Sequence, residues 1–278
     1  MKKRSVFERI AASPYLLWSA IFIIAPLLFV IYFAFTDRNG SFTLENVLSL
    51  SSYSHTFMMS LGFSLIATTV CFLIGYPLAY CMSRMSERTR GVLMTLLMLP
   101  MWISLLIRTY SLMALLDNGG LVSTALTRLG FEKLTFIGTD AAVILGMIYD
   151  FLPYMVLPIY TTMTKLDKRY IEAASDLGCN NRQTLLRVIL PLSMPGVISG
   201  VTMVFVPSIS TFYISQKLGA GKIDLVGDTI ERLFQNTATY GVGAAISLVM
   251  MVLILISVGV MNRFSGEDEN ERKGGATK

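Results

Sequence analysis

Six long apolar stretches leave this chain few ways to fold; they run roughly over residues 14–35, 61–82, 92–116, 141–163, 188–215 and 242–261. Crossing a hydrocarbon core about 30 Å thick takes about 20 helical residues, and a backbone in lipid must satisfy its own N–H and C=O groups. Barrel strands would be about half as long and would alternate in polarity. These stretches are continuously apolar. With 54% of residues hydrophobic, 15% charged and a mean hydropathy of +0.61, the expected class is an all-α integral membrane protein with six transmembrane helices.

Lys and Arg are retained on the cytoplasmic side during insertion, so their distribution sets the orientation. Residues 1–13, the loops after the second and fourth stretches, and the residues after the sixth hold sixteen of them, against six in the alternate loops. Both termini are therefore expected in the cytoplasm. Residues 1–13 form an N-terminal segment, 14–262 a six-helix transmembrane domain surrounded by membrane lipid, and 263–278 a tail. The net charge of +5 reports topology, and basic residues scattered over loops give no footprint for nucleic acid. The first stretch is too long for a signal-peptide core and lacks a clear small-residue cleavage site, so it reads as a span.

Reactive chemistry is sparse. Cys71 and Cys81 lie in the second stretch and Cys179 in a loop, which allows neither a disulfide framework nor a CxxC metal site. His55, the single histidine, falls in the first external loop, where a solvated role is expected. No His/Cys cluster, catalytic triad or HExxH helix is found, so neither a metal site nor an enzyme is expected. The fragment "GAGK" at 219–222 lacks the spacing and the Ser/Thr of a phosphate loop, and the topology places it outside. No cofactor is expected on this chain. The nine prolines (Pro14, Pro26, Pro77, Pro100, Pro153, Pro158, Pro191, Pro195 and Pro207) all fall in the apolar stretches or at their ends. Each interior one removes a backbone hydrogen bond and bends its helix. This pattern fits ordinary kinking and equally fits helices that line a pathway and move.

Between the fourth and fifth stretches stands "IEAASDLGCNNRQTLLRVILP", residues 171–191. Asp167 is a good N-cap, Leu166 and Ile171 occupy the positions of a hydrophobic staple, and Gly178 supplies a left-handed helix end. A helix over 168–177 would be about 15 Å long. Asn180 and Gln183 then restart a helix by a capping-box pair leading into the fifth stretch. Ala173 and Ala174 give the short helix a side with little bulk, and Glu172 and Asp176 offer carboxylates. A surface helix resting on lipid would set those acids against anionic headgroups, so docking to a protein fits better.

Glu172, Ala173, Ala174 and Gly178, followed by Val188, Leu190 and Pro191, resemble the EAA signature of ABC importer permeases, with Val188 replacing the usual Ile. The resemblance implies that 167–178 is a coupling helix, contacting a cytoplasmic ATPase through Glu172, Ala173, Ala174, Asp176 and Gly178. It extends along most of the chain. "LIATTVCFLIGYPLAY", "LIRTYSLMALLDNGGLVS", "LPYMVLPIYTTMTKLDKRYIEAASDLG", "LPLSMPGVISG" and "FYISQKLGAGKIDLVGDTI" resemble the B-type permeases of spermidine/putrescine importers more closely than their C-type partners. The fold implied is the six-helix type I (MetI-like) permease, whose first helix packs on the partner permease. The implied role is that of a non-catalytic permease subunit for polyamine in a bacterial inner membrane. Its implied partners are a C-type permease, a dimer of ATPase subunits that bind ATP and Mg, and an extracytoplasmic polyamine-binding protein. The segment 42–53, beginning "FTLENV", resembles a family segment that lies at the outer surface, within reach of the binding protein.

Asp150 falls about nine residues, or roughly 14 Å, into the fourth stretch. A charge at that depth costs about 2.5–3.5 kcal/mol on insertion scales, so it needs a cavity or a partner. A substrate ammonium is one suitable partner, with Tyr149, Trp102 and Tyr110 adding cation–π or hydrogen-bonding contacts. Arg108, in the third stretch, is the other, through a buried ion pair. Phe212 and Tyr213, near the outer end of the fifth stretch, suit a gate or an interfacial aromatic belt. Asp117, Asp140, Asp224, Asp228 and Glu231 fall in external loops, where they are either solvated charge or an acidic vestibule for a polycation. The alternatives are an importer permease for ferric ion, sulfate or another anion, and a secondary transporter working through Asp150 and Arg108.

Overall fold

The computed structural model describes residues 14–37, 40–129, 135–167 and 169–265. The N-terminal segment, Lys168 and most of the tail lie outside them. The helices are α1 (Pro14–Ala34), α2 (Ser54–Arg84), α3 (Glu87–Met98), α4 (Leu105–Leu116), α5 (Leu121–Arg128) and α6 (Asp140–Thr164). They continue as α7 (Arg169–Asp176), α8 (Asn181–Thr184), α9 (Met194–Ile209), α10 (Tyr213–Leu218), α11 (Val226–Phe234) and α12 (Tyr240–Ser265). Among the described residues no strand forms beyond one isolated bridge, Thr36 to Phe42.

Four helical segments are long and apolar enough to cross a membrane unbroken: Pro14–Ala34, Glu45–Arg84, Asp140–Thr164 and Tyr240–Met261. The second begins before the apolar stretch does, so His55 lies in the first turn of α2 and not in a loop. The third and fifth expected spans are broken, and six spans result only when each bent pair is taken as one. In the third, α3 runs into a single 3-10 turn, Leu99–Trp102, and α4 departs at 98°. Pro100 cannot donate to the preceding turn, and Ile103 and Ser104 are not helical. In the fifth, Asn181–Leu192 and Met194–Ile209 meet at 69° around Ser193, two residues before Pro195. Phe212 and Tyr213 fall beyond that span, at the start of α10.

Prolines also explain two wide turns. The backbone is π-helical over Ala20–Ile24 and again over Leu185–Ile189, each ending two residues before a proline, Pro26 and Pro191. Shifting the turn to i→i−5 bonds, as Ala25 to Ala20 and Leu190 to Leu185 do, accommodates a ring that would collide with the i−4 carbonyl.

The chain divides into two contact units. One comprises the described residues up to His55 with Thr229–Leu253. Its core joins Ala34 to Ala244 and Ala245, with Val30, Val47 and Phe234 around them. Asn46 closes the end of α1 by donating Nδ2 to the carbonyls of Phe33, Ala34 and Thr36 at 3.4, 3.3 and 3.2 Å.

The other unit comprises the described residues of Thr56–Asp228 and those from Ile254 to Ser265, and α6 is its axis. α2 buries one stripe at helical spacing: Ser60, Ser64, Ala67, Cys71, Gly75, Ala79 and Met82. Small side chains let the helices approach where lipid provides no hydrophobic force between them. α9 also comes close, its "GVISG" placing Gly196 and Gly200 on α6. A Cβ on Gly196 would lie 2.5 Å from Thr162 Oγ1 and 2.8 Å from the Pro158 carbonyl oxygen. Gly196→Leu should therefore cost at least about 1–3 kcal/mol by overpacking, whereas Gly259→Leu, where a Cβ meets nothing within 4 Å, should be near neutral. Thermal melting of the purified protein checks both.

Candidate functional site

The short helix α7 is built as its sequence requires. Asp167 Oδ1 accepts from the Arg169 N–H at 3.0 Å. At the other end Gly178 takes a left-handed φ of +81°, its N–H donates to the Ser175 carbonyl at 2.9 Å, and the Cys179 N–H donates to the Ala174 carbonyl at 3.0 Å. This pair of bonds is a Schellman motif. The Asn180 box closes from both sides: Gln183 N–H donates to Asn180 Oδ1 at 2.8 Å, and Asn180 N–H to Gln183 Oε1 at 2.9 Å.

Glu172, Ala173, Asp176, Leu177 and Gly178 are exposed. Ala174 is not: it is 5% exposed, so the small outer face expected of Ala173 and Ala174 reduces to Ala173, and Ala174 serves the chain's own packing. Leu166 and Ile171 root α7 in the core of Met82, Met163 and Ile189. A cavity of about 390 Å³ lies beside it, lined by Tyr80, Arg84, Arg90, Thr164 and Ile171 among others. Beyond the box, the chain reaches the corner at Ser193, which is fully buried. There the Tyr76 hydroxyl of α2 meets Ser193 Oγ at 3.1 Å, so the bend is fastened to a neighbouring helix.

A second group of functional candidates gathers where α4, α6 and α10 meet. Asp150, 2% exposed, and Arg108, 8% exposed, approach to 2.9 Å between Oδ1 and Nη1. Of the two partners open to Asp150 in sequence, the fold supplies the arginine. The contact is one of charge and distance: neither atom is aligned for a hydrogen bond, and Arg108 Nε also lacks one among the described residues. On α2, Ser64 Oγ and Thr68 Oγ1 are likewise buried without a partner.

α10 is seated by Ile214 and Leu218, one turn apart and fully buried. Both close on Gly146 of α6, where a Cβ would collide with each of them, and Leu112 of α4 joins the same core. With that face fixed, Tyr213 and Lys217 share the adjacent one. Tyr213 stands edge-on to Tyr110 of α4, with ring centroids 6.2 Å apart at 79°. Lys217 Nζ lies over both rings, 5.4 Å from Tyr110 and 5.6 Å from Tyr213. Trp102, Tyr149 and Phe212 are exposed, and among the described residues no ring contact joins them to this cluster.

Lys217 escaped the sequence reading, although its i+4 spacing from Tyr213 was a usable signal. Asp228, expected in an external acidic vestibule, is instead 4% exposed and accepts from the Leu225 N–H at 3.0 Å; Asp117, Asp140 and Asp224 are exposed. The "GAGK" fragment is a turn, with Gly221 at φ +73° and Lys222 N–H bonded to the Gly219 carbonyl at 2.9 Å. No group of three or more His, Cys, Asp or Glu among the described residues could hold a metal.

Removing one partner of a buried ion pair strands the other charge, which costs about 3–5 kcal/mol, while replacing both with apolar residues of similar volume is near neutral. Asp150→Ala should thus lower the unfolding temperature and the yield of monodisperse protein, and Arg108→Met with Asp150→Leu should restore both.

Residues 72–266 match the family described as binding-protein-dependent transport system inner membrane component. The chain is 38% identical to the spermidine/putrescine transport system permease protein PotB of Haemophilus influenzae, over 92% of this chain and 93% of that protein. It is 36% identical to the protein of the same name from Escherichia coli strain K12, over 85% and 90%. In fold it is similar to a chain of a bacterial alginate ABC transporter crystallised with a periplasmic protein bound to an alginate pentasaccharide. That match has a TM-score of 0.75 at 19% identity and covers 92% of this chain and 93% of that one.

Proposed function

The chain belongs to the family of binding-protein-dependent transport system inner membrane components, and on that premise we propose that it is the permease subunit of an ATP-driven importer of spermidine or putrescine. The observation that carries the polyamine reading is its end-to-end likeness to permeases named for those substrates. The fold is that of ABC importer permeases, and three features of the chain support the rest of the reading.

The first is α7, a capped helix whose acids Glu172 and Asp176 face outward while Leu166 and Ile171 hold it to the core. We assign it as the helix on which a cytoplasmic ATPase subunit, the binder of ATP and Mg, acts. The second is the fastened corner at Ser193, which passes a push on α7 to α9 and, through Gly196 and Gly200, to α6. The third is the Tyr110 and Tyr213 pair, two ring faces already arranged around an alkylammonium, the chemistry a polyamine presents. In this reading Asp150 and Arg108 position α4 against α6 and do not touch the substrate. The binding protein delivers polyamine from outside, a second permease completes the path, and both termini face the cytoplasm, a placement that the Lys and Arg distribution supports.

The test is uptake of labelled spermidine into vesicles that hold the complex with its binding protein, compared with Gly178→Val. Valine in a left-handed conformation costs about 1–2 kcal/mol and removes the Schellman end. The wild-type complex should take up spermidine only with ATP, and the variant should hydrolyse ATP with severalfold less uptake per ATP. A wild-type complex that hydrolyses ATP but never moves spermidine overturns the polyamine assignment. An unchanged uptake per ATP in the variant overturns the role of α7.

A further inference from the structure

Lys217 sits where a substrate ammonium would sit. Its stem is four carbons long and ends in a primary ammonium, the same group as the aminobutyl arm of putrescine and spermidine. Its Nζ is 5.4 and 5.6 Å from the two ring centroids, inside the distance of about 6 Å at which a ring face attracts a cation. The placement is built: Ile214 and Leu218 lock α10 against α6, which fixes Tyr213 and Lys217 one turn apart beside Tyr110. Tyr110 is 50% exposed and Tyr213 is half-buried, so a ligand from outside the chain reaches the pair from the Tyr110 side.

We propose that Tyr110 and Tyr213 form a binding site for a primary alkylammonium and that Lys217 is its tethered resident ligand, competing with the aminobutyl arm of the polyamine. This rests on the polyamine reading above. A free ammonium enters the ring pair only by displacing Lys217, so the rings hold one ammonium before and after, while the displaced lysine adds its own charge beside them. While displaced, Lys217 remains attached beside the site, and its return expels the substrate. The site is therefore weak by construction, as a transit point must be: a bare aromatic pair would hold a polycation longer. The same lysine disfavours a second cation beside the first.

The measurement is equilibrium binding of labelled spermidine to the purified complex without its binding protein. Five forms are compared: wild type, Lys217→Met, Lys217→Arg, the double variant Tyr110→Leu/Tyr213→Leu, and that double variant with Lys217→Met added. A cation–π competitor worth about 0.5–1 kcal/mol predicts binding about two- to fivefold tighter in Lys217→Met. Lys217→Arg, which keeps a cation over the rings, should bind as the wild type does. In the double variant binding should weaken, and adding Lys217→Met should then change nothing. Lys217→Met that elutes as an intact complex yet binds no tighter than wild type overturns the proposal and leaves the polyamine reading standing. Tighter binding that persists without the two rings also overturns it, because the effect is then general charge repulsion. If no form binds spermidine, this proposal falls, and the uptake measurement above decides the polyamine reading separately.

Discussion

In lipid, apolar side chains gain nothing by leaving their surroundings for one another, so helices hold together by close contact and by buried polar pairs. In the larger contact unit those contacts converge on α6. Gly196 and Gly200 of α9 rest on its Pro158, Thr162 and Met155. Gly75 of α2 faces its Met155, and its own Gly146 admits Ile214 and Leu218 of α10. Its one acid, beyond the first turn, is tied to Arg108 of α4. Each functional candidate is therefore held at a fixed offset from one helix: α7 through Met163, the corner through α9, and the ring pair through α4 and α10.

That convergence gives the proposed transport cycle its mechanics. A force on α7 meets a helix stapled to the core at one end and closed by a Schellman turn at the other. It then passes a closed capping box and a bend bolted by Tyr76. None of these joints is a loose loop. The polar atoms left unpaired on α2 among the described residues, Ser64 Oγ and Thr68 Oγ1, sit on or beside the buried stripe of that helix. Buried groups of this kind call for a partner, and a wet or substrate-bearing interior would supply one.

Much of this was readable in the sequence where the signal is local. The Asn180 and Gln183 box, the Asp167 cap and the Gly178 end depend on residues within four positions of each other, and all form as read. Hydropathy located the six stretches but not the breaks at Ile103–Ser104 and Ser193, because apolarity carries no information on helix direction. Pro100 and Pro195 mark both places, yet Pro77, Pro153, Pro158 and Pro207 stay inside continuous helices. A proline alone does not decide between a kink and a corner. Ala174 was misplaced because an alanine fits an inner or an outer face equally well. Asp150 had two suitable partners in sequence, and only the meeting of α4 with α6 chose Arg108. Lys217 belongs to the same class, since the ring of Tyr110 is about a hundred residues away along the chain and only the fold brings it over.

The central claim is that α7, the Ser193 corner and the α6–α9 pair turn as one body. It is tested most directly by pulsed electron–electron distance measurement between spin labels at Ala173 and Met203, both exposed, in an assembled complex freed of Cys71, Cys81 and Cys179. Spectra are taken at rest and with ATP trapped on the partner subunits. The rigid account requires one distance distribution, unchanged between the two states. A distribution that shifts or splits when ATP is trapped would show that the corner bends, and would contradict it.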